Sequence, residues 1–178
     1  MSSIDLKNVK SLLFVCLGNT CRSPAAEGFA RKFARETFSP DEYDQLWIES
    51  AGLYHSFLKA QPQSIQYVMQ TEGEDISGHV SHVITDDMAR HFDVIITMET
   101  YMKDVICAQF PAVEALPSKI ITLKESCQDD LKPSEVDIPD PYLMPDYVYF
   151  PILEEIRDYT RCLVNKWVSA RHGSQSEG

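Results

Sequence analysis

Ser11-Leu-Leu-Phe-Val-Cys-Leu-Gly-Asn-Thr-Cys-Arg-Ser-Pro24 joins an unbroken apolar run to a Gly-Asn turn and then to Ser-Pro. Six residues from Ser11 to Cys16 with no polar alternation are what a strand covered on both faces requires. Ser23 is expected as the N-cap of the following helix and Pro24 as its first residue, after which Ala26, Phe29, Ala30 and Phe33 recur at helical spacing. The loop between strand and helix then aims successive backbone N–H groups into one concavity, and the helix dipole adds positive potential to it. Such a loop accepts an oxyanion.

Working outward, Leu46–Ala51 closed by Gly52, Asp93–Met98 and Lys119–Lys124 read as further strands. Helices are expected over Gln63–Thr71, from Thr85, around Tyr101–Gln109 and from Tyr147 to about Val168, while Glu125–Met144, with three prolines, is expected as a long loop. This alternation predicts one α/β domain: an open four-stranded parallel sheet with helices on both faces and a phosphate-binding loop after the first strand. Its active site belongs at the carboxyl ends of the strands. The domain is expected over residues 11–168, between a short N-terminal tail, 1–10, and a polar C-terminal tail, 169–178.

The 178 residues suit a single domain, for which roughly 150 is the usual length. Sixteen Lys and Arg against 27 Asp and Glu give a net charge of −11, which repels a polyanion and argues against nucleic acid as a partner. Neither a signal-like start nor an apolar run of membrane-spanning length is present, so no membrane partner and a cytoplasmic location are expected. Five cysteines at irregular spacing make structural disulfides a poor reading and leave at least one thiol for chemistry.

Cys16 begins the loop and Arg22 ends it, with Leu17, Gly18, Asn19, Thr20 and Cys21 between them and no acid among them. The sulfur is expected beneath a bowl of amide donors, while the guanidinium holds two oxygens of a tetrahedral anion. The same field favours a thiolate, which makes Cys16 a nucleophile.

These residues resemble the low-molecular-weight protein tyrosine phosphatases, whose signature is similar to Val15-Cys-Leu-Gly-Asn-x-Cys-Arg-Ser-Pro-x-Ala-Glu27. Asp137-Ile-Pro-Asp-Pro-Tyr142 resembles the family's Asp-Pro-aromatic loop, and Ser50-Ala-Gly52, Ile76-Ser-Gly-His79 and Phe92–Met98 resemble further landmarks. The resemblance implies that Cys16 attacks phosphorus and forms a phosphocysteine, that Arg22 and the loop amides hold the equatorial oxygens, and that Asp140 serves as general acid and then base. It also implies substrate contacts from residues 17–21 and Tyr142, support of Asn19 by Ser23, Ser50 and His79, and redox pairing of Cys16 with Cys21. Phosphorylated proteins are then the substrates and phosphate or vanadate inhibitory anions. No cofactor or metal is expected.

The sequence departs from that pattern at Leu53-Tyr-His55, at His79-Val-Ser-His82, and at Leu143-Met-Pro145, where Gly or a second aromatic is common. Thr20 resembles close relatives that hydrolyse phosphoarginine, which makes an arginine phosphatase the alternative. An arsenate reductase and an inactive phosphate-binding module are lesser ones.

Overall fold

The computed structural model describes residues 4–54 and 58–173; His55 and the polar residues after Gly173 lie outside the described residues. Four strands form one parallel sheet: β1 (Ser11–Cys16), β2 (Trp47–Gly52), β3 (Val94–Thr97) and β4 (Ile120–Thr122), in the order β2-β1-β3-β4. The connection from β1 runs to one side through α1 (Arg22–Thr37), and that from β3 runs to the other through α5 (Thr100–Gln109) and α6 (Leu116–Lys119). With right-handed crossovers, this reversal puts helices on both faces and opens a crevice at the carboxyl ends of β1 and β3. Cys16 stands at that switch point.

β1 is buried along its whole length, and Leu12, Leu13, Phe14 and Val15 form the centre of the core. Asp93 fixes its start, because Oδ2 accepts from Lys10 N, Ser11 N and Ser11 Oγ at 2.7, 3.0 and 3.1 Å. The small residues Ala26, Ala30 and Ala34 let α1 lie close to its neighbours, chiefly β2 and α7 (Asp146–His172). Trp167, fully buried on α7, donates from Nε1 to Val9 O at 3.0 Å, so the segment before β1 packs on the domain too.

Three sequence expectations change here. Helix α7 runs to His172, four residues past Val168, since Arg171 and His172 complement the negative end of its dipole. Two four-residue helices, α2 (Pro40–Tyr43) and α6, are too short to leave a periodic signal. Cys127, just past β4, is joined to Cys162 on α7 by a disulfide, against the expectation of no structural bridge; the fold brings together cysteines 35 residues apart, which spacing alone does not reveal. Helices α3 (Pro62–Glu72) and α4 (Asp86–His91) complete the set. None of the described helices is long and apolar enough to cross a membrane.

Candidate active site

The loop from Cys16 to Arg22 lies against the end of β2. Gly52 pairs with Cys16, Leu53 N donates to Cys16 O and Tyr54 N to Leu17 O. A Cβ on Gly52 would stand 3.0 Å from Leu17 O and 3.1 Å from both Asn19 N and Gly18 C. These are backbone atoms, so the loop itself would have to move. Gly52→Ala should therefore cost about 1–3 kcal/mol of stability and depress turnover well beyond that, read by denaturant melts and initial rates; an unchanged rate would show that the loop tolerates displacement.

Helix α1 starts at Arg22 with Cys21 as its N-cap, and no side chain caps it. Ser23 does not take the capping place expected for it. Its hydroxyl turns instead to the nucleophile, with Oγ 3.0 Å from Cys16 Sγ, and the first-turn amides are left to the concavity.

Asn19 has a φ of 54°, which Asn tolerates better than most residues. Its amide orientation is settled by a donor that cannot reverse, the His82 backbone N–H, which donates to Oδ1 at 3.1 Å. Nδ2 then donates to Ser23 Oγ and Ser50 Oγ, both at 2.9 Å. Ser50 in turn donates to Glu27 Oε2 at 2.6 Å, and Ser23 has its single hydrogen to direct at Cys16 Sγ or, at 3.3 Å, Ala51 O. Hydrogen-bond polarity therefore runs from a backbone amide through Asn19 to a hydroxyl beside the sulfur.

His79 Nε2 donates to Asn19 O at 2.9 Å, which requires the Nε2–H tautomer. Burial is the largest influence on this ring and holds its pKa below 6.5, although the Asn19 bond opposes that. The unfolded chain thus takes up a proton at higher pH than the native one, and the neutral ring's contribution is present above about pH 6.5 and lost as the pH falls below it. Wild-type stability should decline more steeply between roughly pH 7 and pH 5 than that of His79→Gln. Parallel pH profiles would remove His79 from this account.

Arg22 is fully buried. Nη1 donates to Glu99 Oε1 at 2.5 Å and to Ile138 O at 2.8 Å, and Nη2 lies 2.9 Å from Asp140 Oδ2 as an ion pair without hydrogen-bond alignment. Nε and Nη2 have no hydrogen-bond partner. Burial works against the charge, yet Cys16, Asp140 and Glu99 outweigh it and raise the guanidinium's pKa. The Asp140 segment is strapped to the end of β3: Ile138 N donates to Met98 O at 2.8 Å, and Asp137 Oδ1 accepts from Thr100 N at 2.6 Å. Asp140 Oδ1 accepts from Tyr142 N at 3.1 Å.

A cavity of about 340 Å³ opens over this group, lined by Cys16, Leu17, Gly18, Thr20, Cys21, Tyr54, Leu58, Asp140 and Tyr142. Every residue predicted for catalysis or substrate contact lines it except Arg22 and Asn19, which are fully buried. Ser23, Ser50 and His79 stand behind the loop. Cys16 and Cys21 are both free thiols, and burial pushes the Cys21 pKa up to about 11. Cys21 O accepts from Ser64 Oγ at 3.1 Å, and that hydroxyl lies 2.8 Å from Tyr149 OH. Sequence reading missed Glu99 and Leu58. An acid directly after a central strand was the signal for Glu99; Leu58, on an irregular segment, left none.

A family model described as low molecular weight phosphotyrosine protein phosphatase matches residues 11–172. The protein-arginine-phosphatase of Bacillus subtilis is 29% identical over 87% of this chain and 95% of its own length. Among solved structures, a mutant YwlE arginine phosphatase with a phosphorylated active-site serine is similar with a TM-score of 0.77 at 27% identity, over 91% of this chain and 98% of its own. A low molecular weight protein tyrosine phosphatase from T. tengcongensis has a TM-score of 0.72 at 31% identity, over 88% and 98%.

Proposed function

The chain belongs to the low molecular weight phosphotyrosine protein phosphatase family, a family of hydrolases, and we propose that it hydrolyses phosphotyrosine in protein substrates through a phosphocysteine on Cys16. The observation that carries the reading is the buried Arg22, whose Nε and Nη2 have no hydrogen-bond partner beside the loop that Cys16 begins. A buried cation with two open donors on one edge matches two oxygens of a phosphoryl group. The loop amides supply the remaining donors.

In the first step the Cys16 thiolate attacks phosphorus in line with the tyrosyl oxygen, with Ser23 donating to the sulfur. Arg22 Nη2 turns from Asp140 to the phosphoryl oxygens, and Asp140 protonates the departing phenolate. In the second, Asp140 takes a proton from water, which attacks the phosphocysteine and releases phosphate. Phosphate and vanadate then compete with substrate for the same donors. Asp140→Asn should slow turnover by about 10²–10⁴ for substrates with basic leaving oxygens and far less for an aryl phosphate of an acidic phenol. Equal losses along a leaving-group series would remove Asp140 from the role of acid.

Tyr54, Leu58 and Tyr142 around the cavity support an aryl substrate, since aromatic walls pack on a phenyl ring. A second reading, arginine phosphatase, is favoured by Thr20, which is buried in the cavity wall, and by the similarity to the B. subtilis enzyme. Specificity constants for phosphotyrosine, phosphoserine and phosphoarginine peptides separate the two. We expect phosphotyrosine to lead; a preference of about tenfold or more for phosphoarginine, some 1.4 kcal/mol, would establish the other. Arsenate reduction is the weaker reading: it needs a close pair of resolving cysteines besides Cys16, and Cys127 is bonded to Cys162, which leaves Cys107 without a near partner.

A further inference from the structure

The turn Pro141-Tyr-Leu-Met144 follows Asp140 directly and is closed by Met144 N donating to Pro141 O at 2.9 Å. Its third residue, Leu143, has a φ of 62°. That is the left-handed value a type II turn requires at this position, one that Gly or Asn supplies and that a leucine Cβ opposes. Among the described non-glycine residues only Asn19 shares a positive φ, and Asn19 is the residue on which the phosphate loop is organised.

The strain at Leu143 is not offset by packing within the fold, for its side chain is 84% exposed. Strained residues persist where the conformation serves a site. Here the neighbouring residue is Tyr142, a wall of the cavity, and Met144 and Tyr147, which follow in the chain, are exposed as well. Leu58 and Tyr54 are exposed at the same mouth. Exposed apolar residues thus line the mouth and follow it in the chain, and Leu143 is the most exposed of them.

We propose that Leu143 is a specificity-determining residue, which contacts the side chain next to the phosphotyrosine in the substrate and selects a large apolar one there. The occupant is a phosphopeptide segment, because Leu143 directly follows Tyr142, a wall of the cavity that takes the phosphotyrosine itself. Successive Cα atoms of a peptide are about 3.8 Å apart, so a phosphotyrosine seated against Tyr142 lays its neighbour over the adjoining position of the turn. The inference rests on the phosphotyrosine reading of the site.

The test measures kcat/KM for two phosphotyrosine peptides, one flanked by Leu and Phe and one by Ser and Gln, each as a ratio to free phosphotyrosine. The wild type should favour the apolar peptide about tenfold, the worth of roughly two buried methylenes. Leu143→Asn keeps a residue that accepts the turn, and it should bring the ratio close to one. Leu143→Gly should do the same while raising the thermal midpoint, which a residue kept only for folding would lower.

Equal ratios in the wild type, or a preference that survives both substitutions, overturn the inference while normal turnover of free phosphotyrosine leaves the reading of the site intact. Failure to turn over free phosphotyrosine overturns that reading and the inference with it. A preference that fades as protein concentration rises, with a dimer in gel filtration, shows that a second copy covers these residues and overturns it as well.

Discussion

Cys16→Ser should reduce turnover by a factor of at least ~10³ while phosphate and vanadate still bind. A serine hydroxyl is a far weaker nucleophile than a thiolate, yet the substitution leaves the loop amides, Arg22 and the Asn19 hydrogen bonds in place. The neighbouring Ser23 hydroxyl, 3.0 Å from the sulfur, has room for another oxygen as partner. Binding of phosphate by titration and turnover by initial rate should therefore separate cleanly. Loss of both together would mean that Cys16 builds the loop and does not act on phosphorus.

Arg22→Lys is the second severe substitution, expected to cost about 10²–10³ in turnover. Lysine keeps the charge that Glu99 and Asp140 face across 2.5 and 2.9 Å, but one ammonium cannot serve Glu99, Ile138 O and two phosphoryl oxygens from fixed directions. Stability should fall less than activity, because the half-buried carboxylates of Glu99 and Asp140 keep a cation. Arg22→Ala serves as the contrast: it strands Glu99 without its partner and should lose stability as well. A Lys variant with near wild-type rates would show that charge alone suffices and that the directed Nε and Nη2 donors are incidental.

The chemistry of this site was legible where it is contiguous. Strand β1, the loop and α1 follow one another in the chain, so the apolar run, the Gly-Asn turn and Ser-Pro located them before any tertiary contact was known. Ser23 shows the limit: its residue type suits an N-cap, but the sulfur and Asn19 compete for its hydroxyl and win. Asp140 could be placed only by resemblance, since an Asp before Pro is usually a turn former. In the structure, the bonds from Ile138 N to Met98 O and from Thr100 N to Asp137 Oδ1 hold its segment beside Arg22.

What stayed illegible depends on distant segments meeting. Glu99 reaches Arg22 because β3 lies beside β1 in register, and Leu58 reaches the cavity from a segment without periodicity. Cys127 and Cys162 come together only once α7 has docked on the domain. Gly52 was readable as the end of a strand, but its need to be glycine comes from the loop backbone, which an added Cβ would meet at 3.0 Å.

The central claim is that phosphorus passes through the sulfur of Cys16. Rapid quenching of the wild-type enzyme into denaturant during turnover of an aryl phosphate, followed by mass spectrometry of the peptides, tests it most directly. One phosphoryl group on the peptide carrying Cys16, absent in Cys16→Ala and more abundant in Asp140→Asn under a good leaving group, is the predicted result. Phosphate on a histidine, or turnover with no phosphorylated peptide at any quench time and undiminished rates in Cys16→Ala, would contradict it.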